Sequence, residues 1–371
     1  MKLAISINTA WNVVNFRAGL IRALQEDGYH VTALAPPDGH VSRLEHMGCR
    51  FIPLPMDNKG TNPATDTALY LRYLRLLWSE RPSAFLGYTI KPNIYGSLAA
   101  HALGIPVINN ISGLGTAFIR NNWLTDVVKG LYRVALKPSQ KVFFQNDDDR
   151  QIFLRNELVK PEQTALIPGS GIDLVKFRPV IREKSPNPGF RFLLVGRLLY
   201  DKGISEYVAA ARMVKAQRPN VTFALLGFLD AENRTAIPRE QVARWVQEGI
   251  IEYLGTADDV RPHLAEADCV VLPSYREGTP RTLLEAAAMA KPLIATDVPG
   301  CREVVEDGRN GLLCKVKNAE DLARTMIEMI DMPPAKRHAM GAAGRAKMEQ
   351  EFDENFVIAA YLETLRRLFR R

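Results

Sequence analysis

Short apolar runs separated by polar, turn-rich segments recur along the whole chain at spacings that suit strands alternating with crossover helices. Leu3 to Ile7, Val31 to Ala35, Phe51 to Leu54, the run beginning at Phe85 and Leu86, Ile105 to Ile108 and Val142 to Phe144 read as short buried strands. Phe16 to Glu26, Ala68 to Trp78 and Ile94 to Ala102 read as the helices between them. Alternation of this kind favours a mostly parallel sheet covered by helices. A second series follows, with strands at Phe190 to Val195, Val221 to Leu226, Ile250 to Leu254, Val270 to Leu272 and Leu293 to Thr296. Its helices are expected at Ile204 to Ala216 and Leu283 to Met289. The segment Phe177 to Pro188, with three prolines and mixed charge, marks a hinge between two α/β domains. The expected division is 1–178, 179–350 and a C-terminal helix at 351–371 that packs back on the first domain.

A length of 371 residues agrees with two domains. The 48 basic and 41 acidic residues leave a net charge of +7, which accommodates an anionic partner without naming it. Long runs of consecutive Lys and Arg, RNA-recognition motifs and zinc-finger spacings are missing, so nucleic acid is not an expected partner. Cys49, Cys269, Cys301 and Cys314 form no CxxC pair, and reduced cytoplasmic thiols are the simpler reading. No His-Glu-x-x-His arrangement supports zinc, and Asp147 to Asp149 reads as a helix cap, so no metal site is expected. The start MKLAISINTAWNVV is interrupted by Asn8, Asn12 and Asn15 and reads as a first strand rather than a signal peptide. The uncharged stretch Pro92 to Ile119 holds too many prolines, glycines and asparagines for a membrane span.

The sharpest chemical signal is Glu277-Gly278-Thr279-Pro280-Arg281-Thr282-Leu283-Leu284-Glu285. Gly278 permits a tight backbone approach and Pro280 suits the start of a helix, whose first turn at Arg281 and Thr282 would face a nucleotide diphosphate. Glu277 is placed to orient sugar hydroxyls and Glu285 to accept ribose hydroxyl bonds. A second signal, Gly196-Arg197-Leu198-Leu199-Tyr200-Asp201-Lys202-Gly203, follows a strongly apolar strand. Arg197 offers paired charge-assisted bonds to phosphate and Lys202 a flexible point charge.

This constellation resembles the retaining family 4 glycosyltransferases of the GT-B architecture, whose two Rossmann-like α/β/α domains face each other across a cleft. The resemblance runs from the Asn-rich first loop through Pro168-Gly169-Ser170-Gly171-Ile172-Asp173 to the late strand at Gly311 to Leu313. It implies that Arg197 and Lys202 contact the donor diphosphate, that Glu277 positions the transferred sugar, and that Glu285 binds ribose. The loop Val298 to Glu303, with Gly300, resembles the one that follows the family's active-site helix. No obligatory metal or other cofactor is implied; a UDP-sugar is the donor substrate.

In the first domain, Asn12 and Asn15 are candidates for acceptor contacts or for local capping. Lys91 is a candidate for an acceptor phosphate or a solvated loop cation. The segments Lys91 to Gly96 and Gly113 to Gly115 resemble a bacterial branch acting on polyprenyl-diphosphate-linked sugars. That branch adds a hexose or an N-acetylhexosamine to lipid-linked glycans or surface polysaccharides. The histidine that many retaining relatives carry in this lobe has no match in Asn109 to Gly113, and His101 lies too early to replace it. Peripheral attachment to the cytoplasmic face of the bacterial inner membrane, with part of the protein cytosolic, is expected through Ala68 to Trp78 and Phe118 to Leu124. Both combine bulky apolar residues with arginine and suit an anionic surface. Alternatives are a soluble acceptor, a nucleotide-sugar-binding regulator without catalysis, and a sugar-nucleotide epimerase or dehydrogenase. The last lacks a compact Gly-x-Gly-x-x-Gly motif.

Overall fold

The computed structural model describes residues 1–57, 60, 62–113, 123–180, 189–229 and 235–369. They form two compact units, Met1–Ser170 with Glu354–Arg371, and Gly171–Asp353.

The first unit holds β1 (Lys2–Ser6), β2 (His30–Ala35), β3 (Arg50–Pro53), β4 (Ala84–Tyr88), β5 (Val107–Ile111), β6 (Lys141–Phe144) and β7 (Thr164–Leu166). They form a parallel sheet in the order β3-β2-β1-β4-β5-β6-β7. Strand order reverses between β1 and β4, the place where open α/β sheets leave a crevice at their carboxyl ends. β4 and β5 are buried throughout, as expected of central strands covered on both faces.

The helix Ala10–Glu26 starts six residues before the predicted Phe16, because Thr9 caps it by accepting the Asn12 N–H at 3.0 Å. The predicted helix at Ile94 to Ala102 is a π-helical turn, Pro92–Gly96, running into an α-helix, Ser97–Ala102. Gly96 makes the turn possible, since a Cβ there would lie 2.4 Å from the Phe85 ring. The helix Glu354–Phe369 buries Val357, Tyr361 and Leu365, spaced by four, in the core that contains Leu20, Ile21 and Leu24.

The second unit holds β8 (Arg191–Val195), β9 (Thr222–Leu226), β10 (Glu252–Tyr253), β11 (Cys269–Leu272), β12 (Leu293–Thr296) and β13 (Gly311–Cys314). Their order is β10-β9-β8-β11-β12-β13, again parallel, with the reversal between β8 and β11. The compact unit begins at Gly171, earlier than the boundary expected after residue 178. Ile172 and Phe177 belong to its core, the Ile172 N–H donates to the Phe352 carbonyl at 2.8 Å, and Arg345 donates to the Phe177 carbonyl at 2.9 Å. Among the described residues no helix is long and apolar enough to cross a membrane.

Leu365 is fully buried. Leu365→Ala is expected to cost about 2–5 kcal/mol, read as a lowered urea midpoint. An unchanged midpoint would show that this helix adds nothing to the first unit's stability.

Candidate functional site

β8 and β11 are neighbours, so the loops that leave their carboxyl ends lie side by side. The first continues into a short 3-10 turn, Tyr200–Lys202, and the helix Ile204–Gln217. The second leads through Pro273 to the helix Arg281–Ala288. Two bonds join them: the Tyr275 N–H donates to the Asp201 carbonyl at 2.9 Å, and Ser274 Oγ donates to the same oxygen at 3.2 Å. Gly203 adopts φ +71, and a Cβ there would lie 2.0 Å from the Pro273 carbonyl oxygen. A third loop, after β12, closes on the same segment. The Glu277 N–H donates to the Pro299 carbonyl at 3.2 Å, and a Cβ at Gly300 (φ +87) would lie 2.5 Å from the Gly278 carbonyl oxygen. Gly300 thus lets its loop approach the Glu277–Gly278 backbone closely.

This scaffold brings Lys202 Nζ into an ion pair with Glu277 Oε1, their side chains 21% and 12% exposed. One helical turn apart, Arg281 Nε donates to Glu285 Oε1 at 2.9 Å. Pro280 caps the helix rather than opening its first turn, its carbonyl accepting from Leu283 at 3.0 Å. Gly278 and Thr279 form the turn before it. Thr282 Oγ1 donates to the Val195 carbonyl at 3.1 Å, which ties the helix to the end of β8. Arg197 is exposed on the first loop, and among the described residues no hydrogen bond or ion pair engages its guanidinium.

Burial raises the pKa of Glu285, and Arg281 followed by Lys176 pulls it back. Lys176 was not apparent from sequence, where it borders the proline-rich hinge and no local pattern marks it. Its own pKa is lowered, first by burial and then by Arg281 and Arg261. Tyr275 was also missed. Its hydroxyl donates to Glu206 Oε1 at 2.7 Å, and Lys317 Nζ lies 4.7 Å from its ring centre.

In the first unit, each candidate has a partner at home. Asn12 Nδ2 donates to Asn8 Oδ1 at 2.6 Å and Asn15 Nδ2 to the Trp11 carbonyl at 3.0 Å, while the helix they lie on is capped by Thr9. Lys91 Nζ pairs with Asp66 Oδ1 at 2.6 Å, both side chains 12% exposed, and Tyr95 OH donates to Asp66 Oδ2 at 2.9 Å. Lys91 is therefore neither a solvated loop cation nor an uncompensated one. His101 bonds the Ala135 carbonyl at 2.9 Å, and burial lowers its pKa. Asn109, which opens the segment that lacks the histidine of many retaining relatives, is fully buried and bonds Asn93, Ser97 and Ser139 at 2.7–2.9 Å. Among the described residues no group of His, Cys, Asp and Glu could hold a metal ion. Asn146 caps the helix that begins with Asp147, accepting the Asp149 N–H at 2.8 Å. Residues 114–122, which include Gly115 and most of the second membrane candidate, lie outside the described residues.

Two parallel sheets, each with a reversal of strand order, and a paired-charge site at the second reversal define a protein of two Rossmann-like α/β units. Residues 13–169 match the family described as "Glycosyl transferase 4-like domain", and residues 189–332 match "Glycosyl transferases group 1". The chain belongs to the GT-B glycosyltransferases built from these two domains. It is 27% identical, over the full length of both chains, to the N,N'-diacetylbacillosaminyl-diphospho-undecaprenol alpha-1,3-N-acetylgalactosaminyltransferase of Campylobacter jejuni. It is 26% identical to the UDP-Gal:alpha-D-GlcNAc-diphosphoundecaprenol alpha-1,3-galactosyltransferase of Escherichia coli, over 76% of this chain and 73% of that one. Among solved structures, Anabaena Alr3699/HepE in complex with UDP and glucose superposes with TM-score 0.79 at 19% identity, covering 98% of this chain and 99% of that one.

Gly28 is also left-handed (φ +86), but nothing lies within 4 Å of a Cβ placed there. Gly28→Ala is expected to cost about 1–2 kcal/mol of backbone strain alone. Gly203→Ala adds the collision with Pro273 and is expected to cost clearly more in urea unfolding. Equal costs would mean that the close approach at Gly203 is easily relaxed.

Proposed function

We propose that the protein is a retaining glycosyltransferase that moves a hexose or N-acetylhexosamine from a UDP-sugar to a saccharide linked to polyprenyl diphosphate. The observation that carries this reading is the gathering of Arg197, the Lys202–Glu277 pair and the Arg281–Glu285 pair at the switch point of the second sheet. The diphosphate-linked acceptors printed in the names of the two relatives support the acceptor class.

In this mechanism Arg197 and Lys202 hold the donor diphosphate and stabilise the charge that develops on it. Glu277 positions the transferred sugar and shares Lys202 with the phosphates. Glu285, with Arg281 acting against the upward push of its burial, accepts the ribose hydroxyls. The turn at Gly278, Thr279 and Pro280 and the helix start at Arg281 and Thr282 line the nucleotide. The leaving phosphate takes the proton of the attacking hydroxyl, so no protein nucleophile and no obligatory metal are required. Asn12 and Asn15 face the acceptor only by giving up their local bonds, and Lys91 only in company with Asp66.

Glu277→Gln is expected to lower turnover by about a hundredfold while UDP still binds, because the misplaced sugar and not the nucleotide is affected. A mass-spectrometric assay of UDP-sugars against synthetic polyprenyl-diphosphate glycans reads both the donor and the acceptor. Unchanged turnover in the variant would remove Glu277 from the mechanism, and transfer only to soluble saccharides would remove the lipid-linked acceptor.

The same reading places the protein on an anionic membrane surface, at the cytoplasmic face of the inner membrane. The helix Pro63–Glu80 buries Leu69, Tyr73 and Leu77 yet leaves Leu71 and Trp78 55% and 63% exposed, beside exposed Arg72 and Arg75. Apolar insertion and attraction to headgroups then act together. Co-sedimentation with vesicles is expected to increase with anionic lipid and to weaken at high salt. Equal binding to neutral and anionic vesicles at low salt would rule out electrostatic attachment.

A further inference from the structure

Two cations stand near the carboxyl end of β4, and the fold treats them in opposite ways. Lys91, just past that strand, is offset by Asp66 at 2.6 Å. Arg17 lies on the helix that follows β1, so it belongs to the switch point between β1 and β4. It is 4% exposed, and its Nε and Nη1 have no hydrogen-bond partner. Among the described residues no carboxylate pairs with it.

The Arg17 guanidinium lies over the Tyr88 ring, 4.3 Å from its centre. A ring face offsets only part of the cost of burying a full charge, and it leaves the in-plane N–H groups unsatisfied. The Tyr88 hydroxyl is buried as well, its ring stacked on Tyr361; the Tyr361 hydroxyl is its polar neighbour, but no well-formed hydrogen bond joins the two. Burial, followed by the neighbouring Tyr361, pushes its pKa well up, so it remains a protonated donor. Polar groups continue outward from there. Asn110 Nδ2 donates to Tyr361 OH at 3.2 Å, and exposed Ser112 and half-buried Gln145 each donate to Asn110 Oδ1 at 3.4 Å.

Unsatisfied donors and an uncompensated positive charge at the crevice of a parallel sheet call for an oxyanion. The geometry points to Arg17 and Tyr88 as a recognition site for a phosphate-class oxyanion, filled by the diphosphate of the acceptor. The identity of that occupant rests on the acceptor class proposed above. A neutral hydroxyl in the same place would leave the guanidinium charge uncompensated, whereas a phosphate oxygen satisfies both charge and donors.

The test is calorimetric titration of the full-length protein with inorganic diphosphate, with UDP saturating so that the second unit's site is filled. Wild type is expected to bind, and Arg17→Met to bind about tenfold more weakly or worse, the loss expected for charge-assisted bonds. Tyr88→Phe keeps the ring and removes only the hydroxyl; its affinity is expected to fall several-fold with an unchanged circular-dichroism spectrum. If Arg17→Met does not fold, Tyr88→Phe decides. No diphosphate binding by wild type, or wild-type affinity in the folded variants, overturns the site. Neutral phosphatidylcholine vesicles with and without polyprenyl diphosphate identify the source. Arg17-dependent binding to the doped vesicles alone supports the lipid-linked diphosphate, and dependence confined to the soluble anion overturns that occupant. In the transfer assay, Arg17→Met is expected to raise the acceptor KM and leave UDP affinity unchanged. Failure of wild type to glycosylate any lipid-linked acceptor would overturn the functional reading, while the soluble titration still judges the site.

Discussion

Gly203 faces the Pro273 carbonyl so closely that no side chain fits between them, and the second unit's site is built outward from that contact. With the two loops in register, Asp201 accepts bonds from both Ser274 and Tyr275, and Lys202 is set opposite Glu277. Gly300 presses the third loop against Glu277 and Gly278 in the same way. The functional side chains are long and flexible, but the backbone beneath them is fixed by carbonyl contacts that tolerate no Cβ. Parallel sheets supply such a place at a reversal of strand order, because adjacent strands there send their connections to opposite faces and leave the loop ends open between them.

Charge is distributed unevenly over this frame. Lys202 and Arg281 each face a carboxylate, and Arg197 does not. A paired cation binds an incoming phosphate less strongly than a free one, yet it is held in one orientation before the ligand arrives, which lowers the entropy lost on binding. The first unit shows the same contrast with Lys91 held by Asp66 and Arg17 left without a carboxylate. A conventional count of positive residues would rank these cations equally; their partners rank them differently.

Much of the fold was legible because central parallel strands are continuous apolar runs, and Leu3 to Ile7 or Leu293 to Thr296 have few other readings. The motif from Glu277 to Glu285 was legible because both carboxylates lie within one turn-and-helix segment. What escaped was set by long-range contacts or by local geometry without a periodic signature. Asp66 stands 25 residues before the lysine it neutralises. The π-helical turn at Pro92–Gly96 follows from the fit of Gly96 against Phe85, and helical periodicity cannot distinguish it from an α-helix. β7 has three residues, too few to show alternation. Lys176 lies in a segment whose composition suggests a linker, and only folding sets it beside Arg281 and Glu285.

The two glutamates of the motif are equal in sequence but not in surroundings. Glu277 sits in a loop pinned at its own N–H and is paired with a lysine from another strand connection. Glu285 lies on a helix, paired with Arg281 of the preceding turn, and is buried enough for desolvation to outweigh that arginine. A cluster, Arg281 with Lys176, acts against that desolvation, and the two cations in turn repel each other. A ligand hydroxyl donating to Glu285 adds stabilisation to the ionised carboxylate and reduces what the cluster must supply. In the proposed complex, ligand binding and the ionisation of Glu285 are coupled through the same few side chains, whereas the Lys202–Glu277 pair is coupled to the ligand through competition for one ammonium group.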